Sequence, residues 1–466
     1  MMSPPTSDHD LGSRRAVLRM AWPIGISMVS YALKSFVDTL MVGQLGLEAL
    51  AGVGFAGVLV WSLISFPFGA LRGQRPLVTQ YLGAGDTIAT RSFGVHAIYF
   101  ATGISLCFLC FAGALESATQ SIAGTSNMSA QSAQWAGTYL SLRMVWMTPA
   151  LLGLSIAEYL RSTERPKVPM IADLIAHPLN AIFNYALIFG HWGCPALGVE
   201  GAAIGTGLAD CCSLLVLLWF IRPTKSQWRS WRVDRILCWR WSRMKRVLEV
   251  GSTGGIQFAL ESVSFMLITY FIGFLGTTAL AIQQAAIQLV HLSILPAIAI
   301  ADGGSILVGK FVGEGSWREV RAVVRSVLSL VVPFMGLMGL VFISFGVSLM
   351  GLFLQDQDPQ LRQEALEMST SVVWVLALWQ VGDALQVTYR HCLRATGDHT
   401  WVMWVGVLMS WVLSVPLIAT VIFWIDGALH HAWLVFSVEI YVGAWLFHRR
   451  WKGEVWRTKR LVHDET

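Results

Sequence analysis

Along the chain, apolar residues fall in runs of about 20 or more, and the polar positions between them gather into short clusters of Gly, Pro and charge. Lipid offers no hydrogen-bond partners to an open backbone, so runs of this length are helical; a β-barrel would show segments of about ten residues with alternating polarity. Twelve segments are predicted, at residues 16–42, 47–72, 92–115, 132–157, 168–190, 197–221, 246–273, 278–308, 322–352, 366–391, 399–425 and 428–448. The fold class that follows is an all-α polytopic membrane protein.

Composition and charge fit that pattern. With 466 residues, 55% of them hydrophobic and 13% charged, the chain has too much apolar surface for a soluble globule. The net charge of +5 does not point to nucleic acid, because Lys and Arg lie in the gaps between apolar runs and form no basic patch interleaved with stacking aromatics. Alternate gaps are basic: the N-terminus, 72–91, 161–167, 222–246, 310–325, 390–394 and the tail from Arg449 hold all of the 33 Lys and Arg except Lys34, Arg143 and Arg362. The positive-inside rule then puts both termini in the cytoplasm, with an even number of crossings of the cell (inner) membrane. Opposite gaps are neutral or acidic, as in Gln355-Asp356-Gln357-Asp358. Ser13-Arg14-Arg15 resembles the start of a twin-arginine export signal, yet the run after it holds Pro23, Lys34 and Asp38 and no small-residue cleavage site, so these charges are read as cytoplasmic. The seven cysteines are odd in number and lack paired metal-ligand spacing, which argues against a disulfide framework or a zinc site.

The two halves repeat. Leu45-Gly46-Leu47-Glu48-Ala49-Leu50-Ala51 recurs as Leu275-Gly276-Thr277-Thr278-Ala279-Leu280-Ala281, and Gln80-Tyr81-Leu82-Gly83-Ala84-Gly85-Asp86 as Lys310-Phe311-Val312-Gly313-Glu314-Gly315-Ser316, both displaced by 230; Leu160-Arg161-Ser162-Thr163 recurs as Leu393-Arg394-Ala395-Thr396, displaced by 233. Near-constant displacement over so long a stretch points to duplication of a six-helix unit. Six is even, so the two units share orientation, which predicts two six-helix lobes related by a pseudo-twofold along the membrane normal, with a path between them. The expected division is a tail at 1–15, an N-lobe at 16–221, a basic cytoplasmic linker at 222–245, a C-lobe at 246–448 and a basic tail at 449–466.

Beyond the first and last four positions of the predicted segments lie seven acidic residues: Asp38, Asp173, Asp210, Glu261, Asp302, Asp383 and Glu439. A carboxylate in the bilayer costs roughly 2.5–3.5 kcal/mol on insertion scales, so it is kept mainly where it binds an ion, a proton or a partner. Asp38 lies past the middle of the first segment; it either reaches water at a helix end or serves as an ion ligand. Asn180 and Asn184, at i and i+4, share one face of the fifth segment, and Thr206 stands between Gly205 and Gly207 in the sixth; carboxylate, amide and hydroxyl oxygens suit a small hard cation. Lys34, one turn before Asp38, is placed to pair with that carboxylate, hold it charged and compete with sodium. Glu261 lies mid-segment beside Gln257, Ser262 and Ser264, and Asp383 mid-segment between Gln380 and Gln386, so each is either an ion site or an interhelical hydrogen bond. Asp173, Asp210 and Glu439 are read as packing or interfacial. Asp302 is displaced by 230 from Arg72, which makes the two candidates for a gate pair across the path. Trp61, Trp146, Trp374 and Trp379 lie within predicted spans, where aromatic faces can meet organic cations.

At these residues the chain resembles the MATE (multidrug and toxic compound extrusion) family, NorM-like branch. Trp22-Pro23-Ile24, Phe36-Val37-Asp38-Thr39-Leu40-Met41-Val42-Gly43, Glu48-Ala49-Leu50-Ala51 and Val78-Thr79-Gln80-Tyr81-Leu82-Gly83-Ala84-Gly85 are similar to its pattern, and the second half matches again. The resemblance implies a non-enzymatic secondary active exporter that moves amphipathic or cationic compounds against H+ or Na+ by alternating access. It also implies an N-lobe coupling site at Asp38, Asn180, Asn184 and Thr206, a C-lobe pair at Glu261 and Asp383, and a helix-1 bend at Pro23. The chain departs from the family in having Asn184 where some members carry an acid and Trp379 where relatives have Tyr. No cofactor is expected, and no metal beyond a transported Na+; expected partners are small organic substrates and membrane lipids, with the protein a monomer. The alternative is a lipid-linked precursor flippase of the same superfamily, which needs a strongly basic cavity; Lys34, Arg72 and Arg143 are the available cations. A membrane-embedded enzyme would need clustered catalytic groups, and His291, His391, His430 and His431 are scattered.

Overall fold

The computed structural model describes residues 12–124, 128–222, 236–353 and 359–462, and within them every regular element is helical. The acidic gap Gln355–Asp358, most of the basic linker and the first eleven residues lie outside this description. The helices are α1 (Arg14–Gly43), α2 (Leu47–Gly83), α3 (Thr87–Gly124), α4 (Ala130–Val145 and Met147–Ser162), α5 (Lys167–Phe189), α6 (Val199–Ile221), α7 (Trp241–Gly273), α8 (Thr277–Glu314), α9 (Trp317–Gly351), α10 (Pro359–Thr396), α11 (His399–Phe423) and α12 (Leu429–Lys452). Ten are long and apolar enough to cross a membrane, and α4, bent by 48° at Trp146, makes eleven. The remaining one, α12, has 24 residues, which at 1.5 Å each exceeds the roughly 30 Å of a hydrocarbon core.

Several helices overrun the ends predicted from hydropathy, because charge ends an apolar run without ending a helix. α10 is the clearest case, carrying Arg390 and Arg394 inside the helix instead of in a gap. α8 likewise continues to Glu314, so Asp302 lies about three turns inside it. α1 runs unbroken through Pro23, while α2 is interrupted at Gly73.

The chain divides into two compact units whose boundaries fall inside α1 and α7, not at the basic linker. An N-unit comprises Ile26–Leu82 and Asp86–Ile256; a C-unit comprises the chain up to Gly25, Gly83–Gly85 and everything from Gln257. Close helix crossings explain the split. In the N-unit the first half of α7 lies on α2, where a β-carbon on Gly73 would come 2.6 Å from Gly251 Cα and one on Gly69 2.5 Å from Gly254 O. In the C-unit the first half of α1 lies on α8, where a β-carbon on Gly303 would come 2.8 Å from Ala21 N. The two crossings are images of one another under the repeat: Gly303 minus Gly73 and Gly251 minus Ala21 are both 230. Small residues are what allow such approach where lipid gives no hydrophobic drive for helix association.

Side-chain packing fills the rest of each unit. Ala56 and Val60 of α2, Ala101 and Ala112 of α3, and Ala136, Leu140 and Met144 of α4 form one buried cluster in the N-unit. In the C-unit the tail folds back after α12: Trp456 is fully buried, stacked 4.5 Å from Trp451, and Arg460 donates to Gly313 O at 2.6 Å.

Candidate functional site

Polar groups inside the N-unit converge where α1, α5 and α6 meet. Asn184 Nδ2 donates to Asp38 Oδ1 at 2.7 Å, and Asn180 Nδ2 donates to Thr206 Oγ1 at 3.2 Å, whose own hydroxyl donates to Ala202 O. Asp38 is half-buried while Asn180, Asn184 and Thr206 are buried. The structure therefore brings together all four residues singled out for this lobe. Gly205 is what lets α6 approach: a β-carbon there would collide with Asn184 Oδ1, and one on Gly207 would collide with the Trp146 ring at the α4 bend. Asn184 Oδ1 is buried without a hydrogen-bond partner, leaving one acceptor oxygen open beside Asp38.

Two cations stand near this carboxylate. Lys34 and Arg143 are both within electrostatic reach of Asp38, as is Asp210. The expected Lys34–Asp38 ion pair is not made: the ammonium lies over the Tyr31 ring, 5.9 Å from its centroid, and the direct partner of Asp38 is Asn184. Arg143 of α4 faces Asp210 of α6 at 3.7 Å, so Asp210, read as packing, is an ion-pair partner within the same polar region. His177 joins it from α5, its Nδ1 2.6 Å from Ser30 Oγ.

The C-unit holds a second polar network between α7 and α10. Arg390 Nη2 lies 2.6 Å from Glu261 Oε2, Gln257 Nε2 donates to Glu261 Oε1 at 2.7 Å, and Arg394 Nη2 donates to Gln257 Oε1. Glu261 and Asp383 share Arg390 as an electrostatic neighbour but differ in environment. Asp383 is 3% exposed and its Oδ2 has no hydrogen-bond partner; the Gln380 amide one turn away is likewise buried and unpartnered. Trp379 is buried, whereas Trp61 and Trp374 lie on the surface. Glu439 of α12, expected at an interface, is half-buried and takes hydroxyl hydrogen bonds from Ser410, at 3.3 Å, and Ser414 of α11. Those serines belong to a π-helical turn, Met409–Ser414, a feature frequent at functional sites.

The gate candidates sit in different units. Arg72 closes the first part of α2 with its guanidinium 5.5 Å from the Phe68 ring. Asp302 is buried in α8, and His391 Nε2 of α10 lies 3.4 Å from it, a neighbour the sequence did not suggest.

Three groups escaped the sequence reading. Arg390 and Arg394 were assigned to a gap because run boundaries were drawn at charge. Glu158 was placed just past the fourth segment; it is fully buried in α4 between Arg75, at 2.7 Å, and Arg161, at 2.8 Å.

Comparison with known proteins fits this architecture. The MatE family profile matches residues 23–186 and again 255–420, its two starts 232 apart. The chain is 27% identical to a "Probable multidrug resistance protein NorM" of Synechocystis, over 85% of each chain, and 26% identical to one of Thermotoga maritima, over 92% of this chain and 89% of the relative. Among solved structures it superposes on a MOP superfamily transporter from Pyrococcus furiosus with TM-score 0.84 at 17% identity, covering 97% of this chain and 98% of the other. It also superposes on one described as an outward-facing multidrug resistance MATE family transporter with TM-score 0.83 at 16% identity, covering 96% and 99%. Fold and buried polar sites thus define a multi-pass helical membrane protein built as a duplicated six-helix transporter. The chain belongs to the MatE family.

Proposed function

We propose that this protein is a secondary active exporter of amphipathic, often cationic organic compounds, driven by inward H+ or Na+ through alternating access. The observation that carries the reading is Asp38, a carboxylate at membrane depth held by Asn184, with Asn180 and Thr206 gathered beside it. A carboxylate so placed costs several kcal/mol, so it is kept mainly where it binds an ion, a proton or a partner, and neutralising it is a ready trigger for substrate release. Glu261 and Asp383 are assigned the corresponding role in the C-unit. The names of the relatives, multidrug resistance proteins, support the substrate class. Support for the lipid-precursor flippase is weak, because Arg143, one of the few cations available to a pyrophosphate, already faces Asp210. The charge pattern of its gaps supports a cell (inner) membrane location with both termini cytoplasmic, and the proposed working unit is the monomer.

The test is efflux of a fluorescent organic cation from proteoliposomes under a pH gradient and a sodium gradient imposed separately. One of the two gradients should accelerate efflux above the gradient-free rate. Equal rates under both and under neither would remove ion coupling from the account.

A further inference from the structure

The C-unit network has a property that its carboxylates alone would not give: the positive charge it holds is part of the chain. Asp383, Arg390 and Arg394 fall at i, i+7 and i+11 of α10 and so share one helix face. Glu261 and Gln257 occupy consecutive turns of α7, and the two helices meet in a ladder, Arg394 on Gln257 and Arg390 on Glu261. The orientation of the Gln257 amide follows from chemistry. Arg394 can only donate, so Oε1 faces it and Nε2 is left to donate to Glu261. Both oxygens of Glu261 are thereby committed to N–H donors. Gly406 of α11 closes the third side, since a β-carbon there would lie 2.6 Å from Glu261 Oε1. Across α11, the second carboxylate, Glu439, has both Glu261 and Arg390 within electrostatic reach, and its oxygens take the Ser410 and Ser414 hydroxyls.

We propose that Arg390 sets the ion selectivity at Glu261 in the C-unit, its guanidinium occupying that carboxylate as a tethered cation that keeps sodium off it. The inference deepens the coupled-exporter reading and rests on it for its consequence in transport, though not for its test. A hard cation needs several open oxygens, and the polar atoms that touch the Glu261 carboxylate are N–H donors. A second positive ion would also have to displace a charge-assisted bond of 2.6 Å between groups only 23% exposed. A proton needs no coordination shell, only one lone pair of the carboxylate, so proton exchange remains available at Glu261 where sodium binding does not. With Arg390 made neutral, Glu261 and Glu439 together supply two negative charges and serine hydroxyls, a set of oxygens that suits sodium.

The experiment is calorimetric titration of NaCl into purified protein in choline chloride at constant ionic strength, which reads sodium binding without requiring transport. Wild type should show no sodium binding that depends on Glu261, judged against Glu261→Gln. Arg390→Met and Arg390→Gln should each gain it, and the double variant Arg390→Met with Glu261→Gln should lose it again. Glu261-dependent sodium binding in wild type, or folded Arg390 variants that bind sodium no better than wild type, would overturn the proposal. If neither variant folds, the wild-type comparison alone decides it. A loss of ion-driven efflux in liposomes with these titrations as expected would count against the exporter reading and leave the role of Arg390 standing.

Discussion

Two carboxylates of one unit, Glu261 and Asp383, illustrate how differently a membrane protein can hold an acid. Glu261 is neutralised by Arg390, so Glu261→Gln leaves a guanidinium without its counter-charge. Breaking a fully buried pair costs about 3–5 kcal/mol; with both side chains 23% exposed, about 1–3 kcal/mol is expected, read as a lower melting temperature. Asp383 keeps an unpartnered Oδ2, so Asp383→Asn should leave the melting temperature unchanged or raise it while abolishing ion-driven efflux. An equal loss of stability in both variants would show that Asp383 is structural. In the N-unit, Asn184→Ala should reduce initial efflux rates more than Lys34→Met, because the amide and not the ammonium touches Asp38. Asp38, Asn180, Asn184 and Thr206 were legible because polar residues stand out within apolar runs at helical spacing. Arg390 was not, since the same contrast that reveals an isolated polar residue hides a charge near the end of a run, and no periodicity tells that the helix continues past it.

At the scale of single elements, glycines decide how closely helices meet. Gly69 and Gly73 of α2 face Gly251 and Gly254 of α7, so Gly69→Leu forces the two backbones apart. We expect a loss of more than about 2 kcal/mol, seen as aggregation on size-exclusion chromatography after mild heating. A variant as heat-resistant as wild type would show that this crossing is loose. Gly205→Ala pushes on Asn184, and its effect should be loss of efflux with smaller loss of stability. These crossings could be suspected from small residues four apart. The 48° bend at Trp146 and the π-helical turn at Met409–Ser414 each carry a sequence signal, since Pro149 and Pro416 have no N–H for the carbonyls of Val145 and Val412, and tertiary contacts hold them: Gly207 against the Trp146 ring and Glu439 against two serines.

For the whole molecule, the repeat of 230 residues predicted two halves, and the packing assigns the first part of each half to the other unit's helices: the chain up to Gly25 with the C-unit, and residues up to Ile256 with the N-unit. The duplication was written in short motifs, but the exchange was not, since sequence similarity marks equivalent positions without saying which copy they pack against. It follows that a chain cut within the basic linker, expressed as two fragments with one tagged, should co-purify as a pair in detergent; recovery of the tagged fragment alone would contradict the unit boundaries. The central claim, that a membrane-depth carboxylate exchanges an ion for substrate, is tested most directly by comparing wild type with Asp38→Asn in proteoliposomes under whichever gradient drives efflux, with substrate binding measured separately on the purified proteins. The account predicts that Asp38→Asn binds the organic cation and no longer responds to the gradient. Gradient-driven efflux by Asp38→Asn at the wild-type rate would contradict it.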